Sequence, residues 1–311
     1  NWDLRLQKKV IFVYACNSLF LIPYSRVDLR DLPPKLPPSE RIAERRKRVE
    51  QEVNVNLDRL TLTGNQIGSA DEKNCEQMIG AVPVPVGIAG PLKFTMSDGT
   101  AVEVLLPLAT TEGALVASVN RGCKAITISG NGKTESTLIG VTRSLAFKTD
   151  DPESLKKNLE AQSQEWKEIG EATSAHLKIL KFEIDIDVPY LFLTIFADTD
   201  DAMGMNMVTI AGEAIGNWVS GHLEAEFVTV AGNVDSDKKP SLRTYDRGRG
   251  IEGIARVVLP HSVIAQVLKT TPEAMLAAAD AKLIHGSALV QALGSNLHAA
   301  NMIAAVYLAT G

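Results

Sequence analysis

Three short stretches set polar, reactive side chains where packing alone gives no reason for them. In ATTEG (residues 109–113), Glu112 stands where an apolar run ends and helical spacing begins. Two chemistries suit it. A carboxylate at a helix start complements the dipole there, whereas a carboxyl in a partly apolar cleft has its pKa raised and can donate a proton. In SDKKP (236–240), Asp237, Lys238 and Lys239 follow a β-like run. They form either a charged turn or a pair of mutually repelling ammoniums that an anionic ligand would satisfy. DAMGMNM (201–207) opens a helical run, where free N–H groups bind anions and Gly204 permits close backbone approach. Met203, Met205 and Met207 suit core packing equally well.

Other motif matches fail on their mechanics. Residues 248–253 read GRGIEG and match GxGxxG, but a dinucleotide loop needs a strand before it and a helix after. Here polar LRTYDR precedes and strand-like IARVVLP follows, which predicts a turn between strands. SGNGKT (129–134) has Thr127 where a phosphate loop needs its first glycine. The five histidines show no HExxH and no close Cys/His pairing, so no metal is expected. There is no GxSxG for serine hydrolase chemistry. The run Arg45-Arg46-Lys47-Arg48 is flanked by Glu44, Glu50 and Glu52 and reads as a solvated helix face rather than a nucleic-acid patch.

These residues need elements to position them. The chain has 311 residues, 45% hydrophobic and 22% charged, with 32 basic against 37 acidic side chains for a net charge of −5. That composition suits a globular protein of one or two domains with no general attraction to nucleic acid. Residues 1–50 are distinct: 11 basic against 6 acidic residues, a proline cluster at 31–40, and Ser39 as an expected N-cap for a charged helix. Within them, the apolar run 10–24 is too short to span a membrane as a helix, and it suits a signal-like segment, the end of an anchor, or a buried element. The three cysteines lack metal-type spacing and suit a reduced, intracellular setting.

The glycine- and proline-dense stretch 74–92 argues against a long helix. Residues 101–108 read as a strand and 113–126 as a helix. Between 141 and about 230 the order is β-α-β-β-α-β, with Asp151-Pro152-Glu153 opening a helix to about residue 172. This is the ferredoxin-like, split βαβ pattern. The fold class is therefore α+β: a small domain (141–229) inserted into a larger mixed α/β domain (51–140 and 230–311). Residues 270–283 and 298–309 read as helices in its tail.

Taken together, NCEQMIG…PVPVGIAGPL, ATTEG, ASVNRG, DAMGMNM, DKKP and NLHAAN stand in the order and spacing of class I 3-hydroxy-3-methylglutaryl-coenzyme A reductase. The chain resembles that family from about residue 74 to 311. The resemblance implies reduction of the thioester to mevalonate and free coenzyme A by two hydride transfers. Glu112 would be the proton donor, Lys238 the oxyanion stabiliser. Arg143 and Lys239 would hold the substrate's free carboxylate, Asp237 would support the lysine loop, and Asn301 would join Glu112 to Lys238. Ser118, Asn120, Arg121, Lys282 and His298 resemble coenzyme A contacts. Asp201, Met203, Gly204, Met205, Asn206 and Ser174 resemble contacts to NADP(H), with NAD(H) as the alternative.

The family also implies a homodimer or dimer of dimers with active sites at the subunit interface, and a cytoplasmic or endoplasmic-reticulum-anchored catalytic part. Several positions depart from its pattern. The family continues past Gly311 with Gln-Asp and a later catalytic histidine, so the expectation is a fragment of the enzyme that does not complete the cycle by itself, and the alternative is a truncated module that binds coenzyme A thioesters without turnover. Ala175 stands where an arginine usually meets the cofactor's 2′-phosphate. Ala231 replaces a serine that bonds the substrate carboxylate. Glu76 alone carries the acid of the first motif.

Overall fold

The structure, a computed structural model, describes residues 28–61 and 68–310, together with the backbones of 12–15 and 18–21. It divides into two units, Asn1–Pro85 and Val86–Gly311.

In the first unit, strands β1 (Phe12–Ala15) and β2 (Ser18–Leu21) pair antiparallel within the apolar run 10–24. The rest of that run lies outside the described residues, and no described helix is long and apolar enough to cross a membrane. Helix α1 (Pro38–Val53) starts on Pro38, whose missing N–H is no loss in a first turn. Pro37, not Ser39, occupies the N-cap, and no side chain caps it. The basic run is only partly solvated. Arg45 is buried and pairs with the buried Asp71 of the short helix α2 (Ala70–Lys73), to which Arg41 also donates at 2.7 Å. Arg48 pairs with Glu44 one turn back at 3.0 Å.

The second unit is built on one sheet. β3 (Val86–Met96) and β4 (Ala101–Ala109) form an antiparallel hairpin turned at Asp98 and Gly99, whose φ of +87° is a glycine conformation. The expected irregular stretch 74–92 therefore ends in a strand, whose pairing shifts between Ala89 and Leu92 to accommodate Gly90 and Pro91. Helix α3 (Leu115–Ser129) buries Leu115, Val119 and Cys123 at helical spacing against Ala89 and Leu108 of the hairpin.

Strand β5 (Lys133–Lys148) is longer than its apolar half predicts. Its first half pairs with β9 (Gly250–Arg256), and Lys133 and Thr134 run parallel to β3. Its second half pairs antiparallel with β7 (Tyr190–Asp198) and β8 (Glu226–Thr229), and β7 pairs with β6 (Lys178–Asp187). The order β8-β5-β7-β6, antiparallel throughout, is the split βαβ arrangement expected from the element order.

Asp151 caps α4 (Pro152–Ala161) by accepting from the Ser154 N–H at 3.0 Å. The single helix expected to residue 172 breaks at Gln162, and α5 (Ser163–Glu171) follows. Helix α6 (Met205–His222) buries Val208, Ala211, Gly212, Ile215, Gly216 and Val219 along one stripe. The core between helices and sheet centres on Trp166, which is fully buried and donates its indole N–H to the Leu159 carbonyl at 2.9 Å. After β8, residues 242–247 form helix α7 (Leu242–Arg247), so GRGIEG turns from helix to strand and not from strand to strand. α8 (His261–Val263), α9 (Pro272–Ala279, capped by Thr271), α10 (Ser287–Leu289) and α11 (Ala299–Thr310) complete the unit.

Candidate active site

Glu112 sits between the end of β4 and the start of α3. Its backbone N–H donates to Thr110 Oγ1 at 2.9 Å, and Ala114 takes a left-handed φ of +66° to open the helix. The side chain is exposed and not set in an apolar cleft. Asn301, in the first turn of α11, donates its Nδ2–H to Glu112 Oε2 at 2.8 Å across 189 residues of chain. His298, just before that helix, has a buried Nδ1 without a hydrogen-bond partner among the described residues. On α3, Asn120 Oδ1 accepts from Gly90 N–H at 3.0 Å, Ser118 is half-buried, and Arg121 is exposed. Lys282 is exposed on the π-helical turn Asp280–Gly286.

A second constellation forms around Arg143, on β5. The residue is 7% exposed, and its guanidinium donates from Nη1 to Asp235 Oδ2 at 3.3 Å and from Nη2 to Thr209 Oγ1 at 2.9 Å. Thr209 in turn donates to the Met205 carbonyl at 2.7 Å, so Arg143 is tied to the first turn of α6. Next to it, Thr142 Oγ1 receives Arg249 Nε–H at 2.8 Å and donates to the Asp235 carbonyl at 3.4 Å. Burial pushes the Asp235 carboxyl above its ordinary range, with Asp237 adding to the effect; Arg143, the Ser144 N–H and Arg249 oppose it.

The lysine loop starts from this anchor. Ser236 takes a left-handed φ of +53° and donates its hydroxyl to the Lys239 carbonyl at 3.1 Å. Asp237 is half-buried, while Lys238 and Lys239 are exposed. No hydrogen bond or ion pair among the described residues joins Lys238 to Glu112 or Asn301. The structure therefore brings Asn301 to Glu112, and Arg143 to the root of the lysine loop. Asp235, Thr209, Thr142 and Arg249 were missed by sequence reasoning. The available signal for Asp235 was a second acid two residues before Asp237.

At the start of α6, Gly204 has φ +83° and no side chain caps the helix. A Cβ on Gly204 would meet Thr199 Oγ1 at 2.4 Å, so only glycine fits beside that buried threonine. Met203 is 74% exposed, and Asp201 and Asn206 are exposed. Met205 is half-buried and packs beside Val208 and Ala211, and its sulfur accepts from Arg249 Nη2 at 3.0 Å. The turn bearing Ser174 reaches the same loop, because His176 Nδ1 lies 3.0 Å from Asp200 Oδ2 while Ser174 Oγ accepts the His176 N–H. No group of three or more His, Cys, Asp or Glu side chains among the described residues could hold a metal ion.

The described contacts thus form two separate groups, Glu112 with Asn301 and Arg143 with Asp235 and the start of α6. Solved structures share the fold. A 3-hydroxy-3-methylglutaryl-coenzyme A reductase of Streptococcus pneumoniae superposes with a TM-score of 0.58 at 17% identity, covering 86% of this chain and 71% of that one. A class II reductase from the same organism, solved bound to NADPH in open conformations, gives 0.52 at 15% identity, covering 80% and 64%.

The sequence comparisons go further. A family model described as hydroxymethylglutaryl-coenzyme A reductase matches residues 41–311. Curated proteins named 3-hydroxy-3-methylglutaryl-coenzyme A reductase from Methanothermobacter thermautotrophicus and Methanocaldococcus jannaschii are 36% and 40% identical, over 92% and 86% of this chain. The chain spans 73% and 68% of those relatives' length, and 66% of one from Haloferax volcanii that is 40% identical. The chain belongs to the hydroxymethylglutaryl-coenzyme A reductase family.

Proposed function

We propose that this chain carries the substrate- and cofactor-binding residues of a class I reductase, which converts 3-hydroxy-3-methylglutaryl-coenzyme A to mevalonate and free coenzyme A in the mevalonate route to isoprenoids. The class assignment rests on DAMGMNM and DKKP. The observation that carries the reading is the Asn301–Glu112 hydrogen bond, which joins two motifs 189 residues apart in one polar pair.

NADP(H) fits the start of α6. The uncapped N–H groups suit a phosphate, and Gly204 packs against Thr199 with no room for a Cβ. Asp201, Met203, Gly204, Met205, Asn206 and Ser174 would hold the cofactor, which supplies hydride to the thioester carbonyl carbon when bound. Glu112 gives a proton to the oxygen of that carbonyl, and Asn301 fixes the carboxyl's orientation. The Lys238 ammonium stabilises the negative charge that develops on the same oxygen. Arg143 and Lys239 bind the substrate's free carboxylate, with Asp237 steadying their loop. Ser118, Asn120, Arg121, Lys282 and His298 bind the coenzyme A moiety.

In this reading residues 51–140 and 230–311 form the substrate lobe and 141–229 the cofactor lobe. The working unit is a homodimer or dimer of dimers with sites at the subunit interface, in the cytoplasm. The cofactor is NADP(H), with NAD(H) as the alternative because Ala175 leaves the 2′-phosphate without an arginine.

Calorimetric titration with the thioester, NADPH and NADH tests binding, and loss of nicotinamide absorbance tests turnover. In a full-length version that carries the family's later Gln-Asp and histidine segments, Lys238→Ala is expected to lower turnover by at least about 100-fold with unchanged circular dichroism. Near-parental turnover in that variant, or a parent chain that binds neither the thioester nor a nicotinamide cofactor, refutes the reading.

A further inference from the structure

The buried acid closest to the substrate-reading guanidinium is one to which the reaction assigns nothing. Asp235 is 3% exposed and accepts from Arg143 Nη1 at 3.3 Å, while its own carbonyl accepts from Thr142 at 3.4 Å. Arginine presents five N–H donors in a planar fork. Here Nη1 serves Asp235 and Nη2 serves Thr209, while Nε is buried and has no partner among the described residues. Two of the five donors are thus engaged. An unspent donor beside an already bound carboxylate leaves a place for a second acceptor on the same cation.

We propose that Asp235 is an internal carboxylate that shares Arg143 with the substrate's free carboxylate, and so sets how strongly the site favours an acyl group bearing that charge. The inference rests on the assignment of Arg143 to that group. Its consequence follows from electrostatics. Facing Asp235 are Arg143 and the Ser144 N–H from β5, Arg249 from the turn before β9, and Asp237 from its own loop. A ligand carboxylate arriving on Arg143 adds a like charge beside a side chain that water hardly reaches, 1% exposed in the ion pair. Two carboxylates crowded on one site cannot both stay ionised cheaply, and one takes a proton.

Burial and Asp237 already push Asp235 upward, so it is the group that protonates. The O–H formed can then donate to the ligand's carboxylate. Binding therefore takes up about one proton. Because the bound site holds more protons than the free site, affinity falls as pH rises, by up to about tenfold per unit through the range between the free and bound titrations.

The test is calorimetric titration of the chain with 3-hydroxy-3-methylglutaryl-coenzyme A and with 3-hydroxybutyryl-coenzyme A, which lacks the second carboxylate. Each is run from pH 5.5 to 8 in two buffers of different ionisation enthalpy. The expected result is uptake of about one proton with the first ligand beyond that with the second. Asp235→Asn keeps an acceptor for Arg143. It is expected to abolish that difference and to tighten the first ligand about tenfold at pH 8. Equal proton uptake for the two ligands overturns the proposal, and this measurement on the unaltered chain stands even if the variant folds poorly. An Asp235→Asn protein that folds and still shows the difference also overturns it. Arg143→Gln separates the two levels. If it erases the preference for the carboxylate-bearing ligand, Arg143 reads that group and only the role of Asp235 is at stake. If the preference survives, the assignment of Arg143 falls and the inference falls with it.

Discussion

Replacing Gly204 by alanine tests whether the start of α6 is built for close backbone approach. Two costs apply. The first is conformational: φ at this position is +83°, and an L-residue held in the left-handed region loses about 1–2 kcal/mol relative to glycine. The second is steric. The new methyl would lie 2.4, 2.5 and 2.6 Å from Oγ1, Cγ2 and Cβ of Thr199, and Thr199 is only 3% exposed with its hydroxyl donating to the Ala202 carbonyl at 2.8 Å. Relief means moving Thr199, which forfeits that hydrogen bond, about 1 kcal/mol. It also means overpacking the pocket, about 1–3 kcal/mol.

Gly204→Ala should therefore cost about 3–6 kcal/mol. Gly99 supplies the control, since it has nearly the same φ, +87°, and nothing within 4 Å of its would-be Cβ. Gly99→Ala should cost only the conformational term, about 1–2 kcal/mol. Urea unfolding followed by circular dichroism measures both. NADPH titration of the two folded variants adds a functional readout, with at least about tenfold weaker binding expected for Gly204→Ala alone, one kcal/mol-scale contact being worth that factor. Equal destabilisation of the two variants within about 0.5 kcal/mol, the ordinary scatter of surface substitutions, would refute the steric argument.

Trp166→Ala should cost about 3–5 kcal/mol by urea unfolding, since it empties a fully buried site and strands the Leu159 carbonyl, while Trp166→Phe should retain most of the stability. Acid should unfold the Arg41–Arg45–Asp71 cluster. Burial alone would raise the Asp71 carboxyl, but hydrogen bonds and charge from Arg41 and Arg45 hold it below its ordinary value. Its contribution is thus complete above the unfolded-state value, near 3.9, and disappears as pH falls through the lower folded value. Helix content followed from pH 5 to 2 should drop with a component that Asp71→Asn removes; an unchanged acid transition in that variant would count against the cluster.

What sequence reading caught and missed divides along physical lines. Asp151-Pro152-Glu153 carries a helix start in three residues, because cap, proline and early acid act locally, and α4 begins there. The alternation and β-branching of 177–188 and 190–197 likewise need no distant partner to show as strands. The break at Gln162 is different: no local breaker marks the place, and each helix buries its own residues, Leu155 and Leu159 before it and Trp166 after it. Ser39 has a good capping side chain, yet Pro37 and Pro38 set the backbone first. Arg45 looked solvated because the acid that buries it, Asp71, is 26 residues away. In the site, ATTEG and HAAN are visible as motifs, and their meeting is a tertiary fact. Asp235 was passed over because its role depends on a guanidinium 92 residues upstream.

The geometry of β5 explains why these distant segments meet. Its partners change at Gly140, which pairs with Gly250 of β9, while Val141 already pairs with Ala197 of β7. A Cβ at Gly140 would come within 2.9 Å of the Ala197 nitrogen, so the changeover depends on glycine. Val141, Thr142 and Arg143 are the first side chains past it. Three segments are delivered to that point by pairing alone. The end of β7 leads through Thr199 into the glycine-capped start of α6. The turn before β9 brings Arg249 to Thr142. The third comes down from β8: Thr229 pairs with Ala146, the Gly232 N–H reaches the Ser144 carbonyl at 2.7 Å, and the Asp235 carbonyl accepts from Thr142. The lysines begin three residues beyond the last of these contacts. One residue inserted between Thr229 and Asp235 would move Asp235 off Arg143 and the lysines with it, whatever their identity.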